Sequence, residues 1–481
     1  MDYPTLPVPE PAPAPEPGWA PEPPPPPRPQ DPLAVALGNA SLLSVGYFLM
    51  RRVRLGVITL LITLALVAAQ AGTVRETWLE FTLLGWWLLL VWHGWFLARR
   101  AEPVVRKGQR LWALATALVV LLVVGFLRFD AAGIEREVTA AKERGDCGQA
   151  LSALDQVGFG HRVADAPLTV RGEQTADACQ RLRRSADKLT AALTGNTEAL
   201  KAGFDELANV LANLPGHEKM TDTVLNAFLG SLPAKSPCHT VVVTTWLRQR
   251  QATKNTLDRA AEVVDKHAPL ALAECGDLIM DGKQWAQAKA QYQQLIDQYP
   301  GHELTGRAEE GVRKATLAIE LDNVRGLLRG SKSAYCASPA QYSAAPPYGK
   351  GTNRAIMAGE GEYTGRLPGE WKTEDPTQAV LVVCAGRKEY GAMVRSCLYQ
   401  NKMLPRVPHS VAFHKIAIPV RAYELRTGKR VVDAKVEVGG SVCPRVLHYR
   451  TIFNDGPPPS QVYVTESDKE VHDAFGWFIN Q

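Results

Sequence analysis

Leu55–Ala71 reads LGVITLLITLALVAAQA, Leu79–Leu97 reads LEFTLLGWWLLLVWHGWFL, and Leu111–Leu127 reads LWALATALVVLLVVGFL. Each run approaches the roughly 17–25 residues a helix needs to cross a hydrocarbon core about 30 Å thick. Gln70 is the one strongly polar member of the first run. A buried helix of a soluble domain would account for one such run. Three in close succession, separated by basic residues, predict a membrane α-helical segment over residues 55–127. His93 lies well inside the second run without an acidic partner in the other two. It is expected to be a packed or snorkelling neutral imidazole.

Basic residues set the expected direction. Arg51, Arg52 and Arg54 precede the first run, and Arg99, Arg100, Arg106, Lys107 and Arg110 separate the second from the third. The opposite flanks carry little: Arg75 and Glu76, then Arg128 and Asp130. The positive-inside bias puts both clusters in the cytoplasm, so three crossings carry everything after Leu127 outside. Trp78, Trp86, Trp87, Trp92, Trp95 and Trp112 crowd the segment, and the outer ones suit interfacial anchoring. Pro32–Met50 is apolar but weakened by Asn39, Ser41 and Ser44. An interfacial or partly inserted helix, followed by a basic flank to residue 54, is expected there rather than a fourth span. No charged stretch followed by a short apolar one opens the chain, so a cleavable signal peptide is not expected.

Whole-chain composition hides this geography. The 481 residues are 46% hydrophobic and 21% charged with net charge +5, and their mean hydropathy is −0.12. Those values exclude a wholly disordered chain, a collagen-like repeat and a strongly basic nucleic-acid binder. The excess positive charge beyond residue 127 is only +3, which gives no drive toward phosphate backbones. Two uneven distributions carry more information. Of the 34 prolines, 15 fall in the first 32 residues, where PEPAPAPEP and PEPPPPPRP predict a polyproline-II tail over 1–31. That tail is a solvated segment or a ligand for a proline-binding partner in the cytoplasm.

All eight cysteines, Cys147, Cys179, Cys238, Cys275, Cys336, Cys384, Cys397 and Cys443, lie on the expected outer side. An even set of thiols in an oxidising compartment predicts disulfides. Domain boundaries favour Cys147 with Cys179 and Cys238 with Cys275, leaving the last four to the C-terminal domain. Zinc fits poorly: no C-x2-C pair occurs, and nothing completes the spacing of His409 and His414.

Residues 128–330 carry a helical pattern, with breaks expected near Gly158–Ala166, Gly195–Asn196, Leu214–His217, Pro233–Pro237 and Pro300–Gly301. Within it, Leu272–Pro300 (LAECGDLIMDGKQWAQAKAQYQQLIDQYP) resembles one tetratricopeptide repeat (TPR), a 34-residue helix–turn–helix. On that resemblance Leu272 takes the first large position and Gly276 the small one of helix A. Ala288, Tyr292, Leu295 and Pro300 take the small, aromatic, apolar and terminating positions of helix B. The sequence departs from the pattern at Cys275–Gly276, where Trp or Leu usually precedes the glycine, and at Ile279, where Tyr is usual. Gly145–Leu151 and Phe204–Leu214 are weaker echoes. The resemblance implies an α-solenoid-like helical domain, because one repeat cannot bury its own apolar face. Trp285 and Tyr292 are expected to serve the core, and Asp277 and Lys283 to touch a ligand on the helix-A face.

After a loop with partial strands over 331–378, strands are predicted at Ala379–Ala385, Ala392–Tyr399, Lys415–Leu425 and Arg430–Val438, the last two joined by Thr427-Gly428-Lys429. Pro419 argues for a sheet edge or a bulge. Ser467–Glu470 forms a capping-box pattern opening a final helix whose buried stripe is Val471, Ala474, Phe475 and Phe478. The small β-rich or α+β domain over 379–481 is similar to extracytoplasmic β-domains at the C-termini of bacterial membrane-anchored proteins. That resemblance implies no known activity. It favours disulfides among Cys384, Cys397 and Cys443, with Cys336 as the fourth member.

Catalytic and cofactor signatures are missing. Gly349–Thr352 lacks the upstream glycine of a phosphate loop, and no metal, nucleophile-elbow or dinucleotide motif occurs. Neither a cofactor nor a catalytic residue is expected. The sequence predicts a multi-pass bacterial plasma-membrane protein in contact with the lipid bilayer. Its outer helical domain would bind a protein or peptide as a scaffold. A transmembrane sensor signalling to the proline-rich tail is the alternative, and a cell-envelope enzyme without a recognisable motif is a third class.

Overall fold

The computed structural model describes residues 30–72, 77–100, 105, 107–329, 333–400, 407–450 and 458–481. The proline-rich tail up to residue 29, the Arg75–Glu76 flank and Arg106 lie outside the described residues. Helix predominates, with one small sheet near the C-terminus. Contacts divide the chain into two units, Met1–Ala192 with Glu198–Ser231 and Ala252–Asp258, and Leu193–Thr197 with Leu232–Gln251 and Arg259–Gln481.

Among the described residues the first unit holds ten α-helices: α1 Pro32–Ala40, α2 Val45–Leu49, α3 Val53–Gly72, α4 Thr77–Arg99, α5 Lys107–Arg144, α6 Cys147–Leu154, α7 Phe159–Ala164, α8 Ala166–Ala192, α9 Thr197–Asn213 and α10 Glu218–Gly230. Among the described residues two are long and apolar enough to cross a membrane, Phe81–Arg99 with mean hydropathy 1.4 and Lys107–Arg144 with 2.3. The sequence predicts three such helices. Val53–Ala69, the described apolar part of α3, is shorter than the other two.

Pro32–Met50 is two short helices and not the single helix expected. The break has a local cause. Ser41 Oγ donates to the Gly38 carbonyl and accepts from the Leu43 amide, taking over backbone bonds that would have extended α1. Leu42 and Ser44 then adopt left-handed conformations, with φ of 59° and 58°, and turn the chain back. In contrast α5 runs unbroken through Gly133, a site with open space around it. Beyond its apolar part α5 is anchored by α7: Arg128 Nε donates to the Ala164 carbonyl, and His161 Nε2 lies 2.9 Å from Asp130. Later helices are separated at 193–196, 214–217 and 231–236, where turn-forming residues interrupt the periodic pattern.

The second unit continues with α11 Pro237–Gln249, α12 Glu262–Asp281, α13 Trp285–Gln298, α14 Thr305–Arg329 and α15 Ser333–Ala337. Then come β1 Ala355–Gly359, α16 Gly361–Thr364, β2 Leu381–Ala385, β3 Glu389–Gln400, β4 Pro408–Glu424, β5 Arg430–Val438, β6 Gln461–Tyr463 and α17 Asp468–Ile479. The 17-residue β4 organises the sheet: β2 and β3 follow one another along it, and β5 and β6 also pair with it. β1 joins β2 in parallel.

Helices cover both faces around β2. Val471, Phe475 and Phe478 of α17 share one core with Leu381, Val383, Ile416, Ile418 and Val420. Val324 of α14 and Tyr335 of α15 share another with Ile356, Val382, Cys384 and Tyr423. A strand buried on both faces needs apolar residues at every position, which is why AVLVVCA is a continuous run and not an alternating one. The helical stretch 128–330 therefore does not end as a separate body, because the last turns of α14 belong to the core of the sheet.

Pro419 departs from its expected setting, since it sits in the central strand opposite Lys435. Gly386 donates to the Pro419 carbonyl, so the donor-less proline nitrogen faces the same side. The β2–β4 pairing ends one residue earlier, at Ala385 and Val420, so the missing donor falls where that ladder runs out. The capping box is formed: the Ser467 amide donates to Glu470 Oε2 at 2.6 Å, and Ser467 Oγ accepts from the Glu470 amide at 3.5 Å.

The eight cysteines stand in four close pairs. Cys147 and Cys179 have Cα atoms 5.4 Å apart, Cys238 and Cys275 4.8 Å, Cys336 and Cys384 5.8 Å, and Cys397 and Cys443 5.8 Å. All four separations lie in the range a disulfide spans.

Candidate functional site

The hairpin formed by α12 and α13, closed by α14, presents exposed residues on a tightly packed support. Its core is small and tightly specified. Leu272, Cys275, Ala288, Tyr292, Leu295 and Ala308 are buried together with Val241 of α11. The Cys238–Cys275 pair joins α11 to α12. Pro269 lies buried inside α12, where its missing amide leaves the Asp265 carbonyl without the usual helical donor.

Tyr292 organises this core. A methyl group at Gly276 would come within 2.5 Å of one side of its ring, and a methyl at Gly311 within 2.7 Å of the other. Two glycines on α12 and α14 thus admit one aromatic ring between them. The Tyr292 hydroxyl donates to Asp277 Oδ1 at 2.6 Å, and Arg307 pairs with the other carboxylate oxygen. Burial, reinforced by the bond to Asp277, pushes the phenol well above its ordinary value near 10. A second Tyr–Arg–Asp group lies nearby. Arg248 donates to the Tyr299 hydroxyl, stacks 4.5 Å above its ring and pairs with Asp265 at 3.2 Å.

Leu272, Gly276, Ala288, Tyr292 and Leu295 come together around this ring, whereas Pro300 is exposed in the turn after α13. Asp277 is engaged inside the hairpin, with Tyr292 and Arg307, and is not held out toward a ligand. Lys283 is exposed in the α12–α13 turn with φ of 59°, away from the helix-A face, and Trp285 is half-buried at the start of α13. The outward face of α12 is carried instead by Leu270, Glu274, Leu278 and Asp281, all exposed. Leu270 keeps 47% and Leu278 54% of its surface, and their spacing puts them on one face two turns apart. They fall off the stripe formed by Leu272, Cys275, Gly276 and Ile279. An apolar residue off the buried stripe is the signal that could have located them from sequence.

Compared with known protein families, curated proteins and solved structures, the chain finds no match.

Among the described residues, no group of three or more His, Cys, Asp or Glu side chains gathers as metal ligands. His409 and His414 are five residues apart on β4 and so point to opposite faces of the sheet. His414 Nδ1 is bonded to the Gly391 carbonyl at 2.9 Å.

Proposed function

We propose that this chain is a bacterial plasma-membrane protein whose outer, TPR-like helices bind a protein or peptide and hold it near the membrane. Three spans carry the chain across: the apolar part of α3, then α4 and α5. The proline-rich end and the Arg51–Arg54 and Arg99–Arg110 clusters face the cytoplasm. Support for the location comes from two helices long and apolar enough to cross and from four close cysteine pairs, all beyond residue 146. The observation that carries the binding role is the exposed Leu270–Glu274–Leu278–Asp281 face of α12, mounted on a core locked by Tyr292. Two leucines framed by two carboxylates suit an amphipathic segment bearing Lys or Arg.

Site-specific photo-cross-linking in intact cells tests this. A photoreactive residue at Glu274 should give a discrete adduct that Leu278→Glu abolishes, while the same residue at exposed Lys314 of α14 gives none. Equal adducts from both positions, or none from Glu274, would reject the α12 surface.

One observation favours a second, sensor-like reading. The 38 residues of α5 form a single helix from Lys107 to Arg144, about 57 Å long, which connects the two sides of the membrane without a hinge.

A further inference from the structure

Asp31, Asn39, Ser41 and Ser44, all buried, lie on or beside α1 and α2, and hydrogen bonds tie these short helices to α3, α4 and α5. Asp31 is fully buried. It caps α1 by accepting from the Leu33 and Ala34 amides and receives two bonds from Arg110 of α5, Nε at 2.6 Å and Nη2 at 3.2 Å. Eight residues on, Asn39 is also fully buried, and its Nδ2 donates to the Leu90 carbonyl of α4. Trp87 Nε1 donates to the Ala40 carbonyl. On the return, Ser44 Oγ lies 2.8 Å from Thr59 Oγ1 of α3, and the Tyr47 hydroxyl 2.8 Å from His93 Nδ1 of α4. Glycine makes the approach possible. A methyl at Gly46 would overlap the Val35 carbonyl, and one at Gly94 would overlap Asn39 Nδ2.

Position along α4 gives the depth. Asp31 and Arg51 mark the two ends of the hairpin, both among basic residues, whereas its turn lies beside Trp87. Trp87 is 12 residues, about 18 Å, from the basic end of α4 at Arg99. That is mid-depth in a core about 30 Å thick. Non-helical backbone is tolerated at such depth only when protein supplies its hydrogen bonds, as Ser41 and Trp87 do here.

We infer that residues 31–50 are a re-entrant wedge entering the membrane from the cytoplasmic side, and that the Asp31–Arg110 pair is its latch. This inference rests on the membrane reading above. Latched, the wedge holds α4 and α5 at a set spacing. Unlatched, residues 31–50 retreat to the membrane surface and α5 loses its tie to the segment that follows the proline-rich tail. A pull or a bound partner on that tail acts first on Asp31, so the pair is where a cytoplasmic event would reach α5.

The experiment uses the full chain in cell membranes, with Leu43→Cys, an exposed position at the turn, probed by a membrane-impermeant maleimide. Arg52→Cys is the cytoplasmic reference. Leu43→Cys should resist the reagent both in intact cells and in inverted vesicles, where Arg52→Cys reacts. Adding Asp31→Asn or Arg110→Gln should raise Leu43→Cys labelling in inverted vesicles by about tenfold or more, because either change removes the ion pair that ties buried residue 31 to α5. Arg110→Lys, which keeps the charge but loses the fork, should fall between. Unchanged labelling in both single variants overturns the latch, and free labelling of Leu43→Cys in the parent overturns the wedge. If alkaline carbonate strips the chain from membranes, the membrane reading itself fails. Carbonate resistance with free labelling rejects the wedge alone. Protease resistance of the outer region, measured on each variant, separates release of the wedge from global misfolding.

Discussion

Gly276→Ala tests whether Tyr292 is the piece around which the α12–α14 core is built. The new methyl would stand 2.5 Å from Tyr292 Cε1 and 2.8 Å from two further ring atoms. The ring cannot swing away, because Gly311 confines its other side, and its hydroxyl is tied to Asp277. Overpacking of this kind costs roughly 1–3 kcal/mol. The helix-propensity gain of alanine over glycine returns at most about 1 kcal/mol. The net expectation is a loss of about 1–2 kcal/mol, or roughly 3–6 °C in the unfolding temperature of a unit this size. Gly326→Ala is the internal control. Gly326 lies on the same helix as Gly311 but has nothing within 4 Å of the added methyl, so there the propensity gain should appear alone and raise stability. Unfolding of the detergent-solubilised full chain, followed by intrinsic fluorescence, would give both values. A double-mutant cycle isolates the contact: in a Tyr292→Leu background, Gly276→Ala should lose most of its cost. If Gly276→Ala proved as stable as Gly326→Ala, or if its cost survived removal of the ring, the assignment of Tyr292 as the packing centre would be wrong.

Further expectations concern charge, cysteines and caps. Burial holds the His217 imidazole below its ordinary value near 6.5, with Nδ1 bonded to the Leu214 carbonyl. The unfolded chain therefore takes up the proton first as pH falls. Stability should be full above about pH 6.5 and decline below it, and His217→Gln should flatten the decline in melting temperature between neutral and mildly acidic pH. Protein purified without reductant should show no titratable thiol until unfolded and reduced. Replacing Cys238 and Cys275 together by serine should cost roughly 2–4 kcal/mol, read by denaturant midpoint. Ser467→Ala should remove about 1 kcal/mol and speed hydrogen exchange at the first turn of α17, because the Glu470 amide loses its acceptor.

Local pattern carried much of the architecture. The α17 cap was legible because a capping box is a four-residue device, and the separations between helices were legible because proline and glycine act on their own backbone. The continuous AVLVVCA run announced β2 for the same reason: it records burial on two faces. Other features left weaker traces. β1 and β6 are short, and they become strands through parallel neighbours far away in the chain. Pro419 looked like an edge residue, because its tolerance depends on where β2 ends and β3 begins. Asp277 looked like a ligand group until Tyr292 and Arg307 claimed it.

The sequence by itself determined where the chain is apolar, where helices must stop, and that all its cysteines lie beyond the apolar helices. Those are properties of residues and their immediate neighbours, and hydrophobic periodicity and backbone chemistry express them directly. Only the tertiary structure decided that residues 31–50 fold back against α4, that Cys336 meets Cys384 while Cys397 meets Cys443, and that two leucines of α12 are left uncovered. Each of these depends on which distant backbone a small residue admits and which distant donor a buried oxygen finds. No local pattern encodes that choice, because it is settled by the packing of elements far apart in the chain, 79 residues in the case of Asp31 and Arg110.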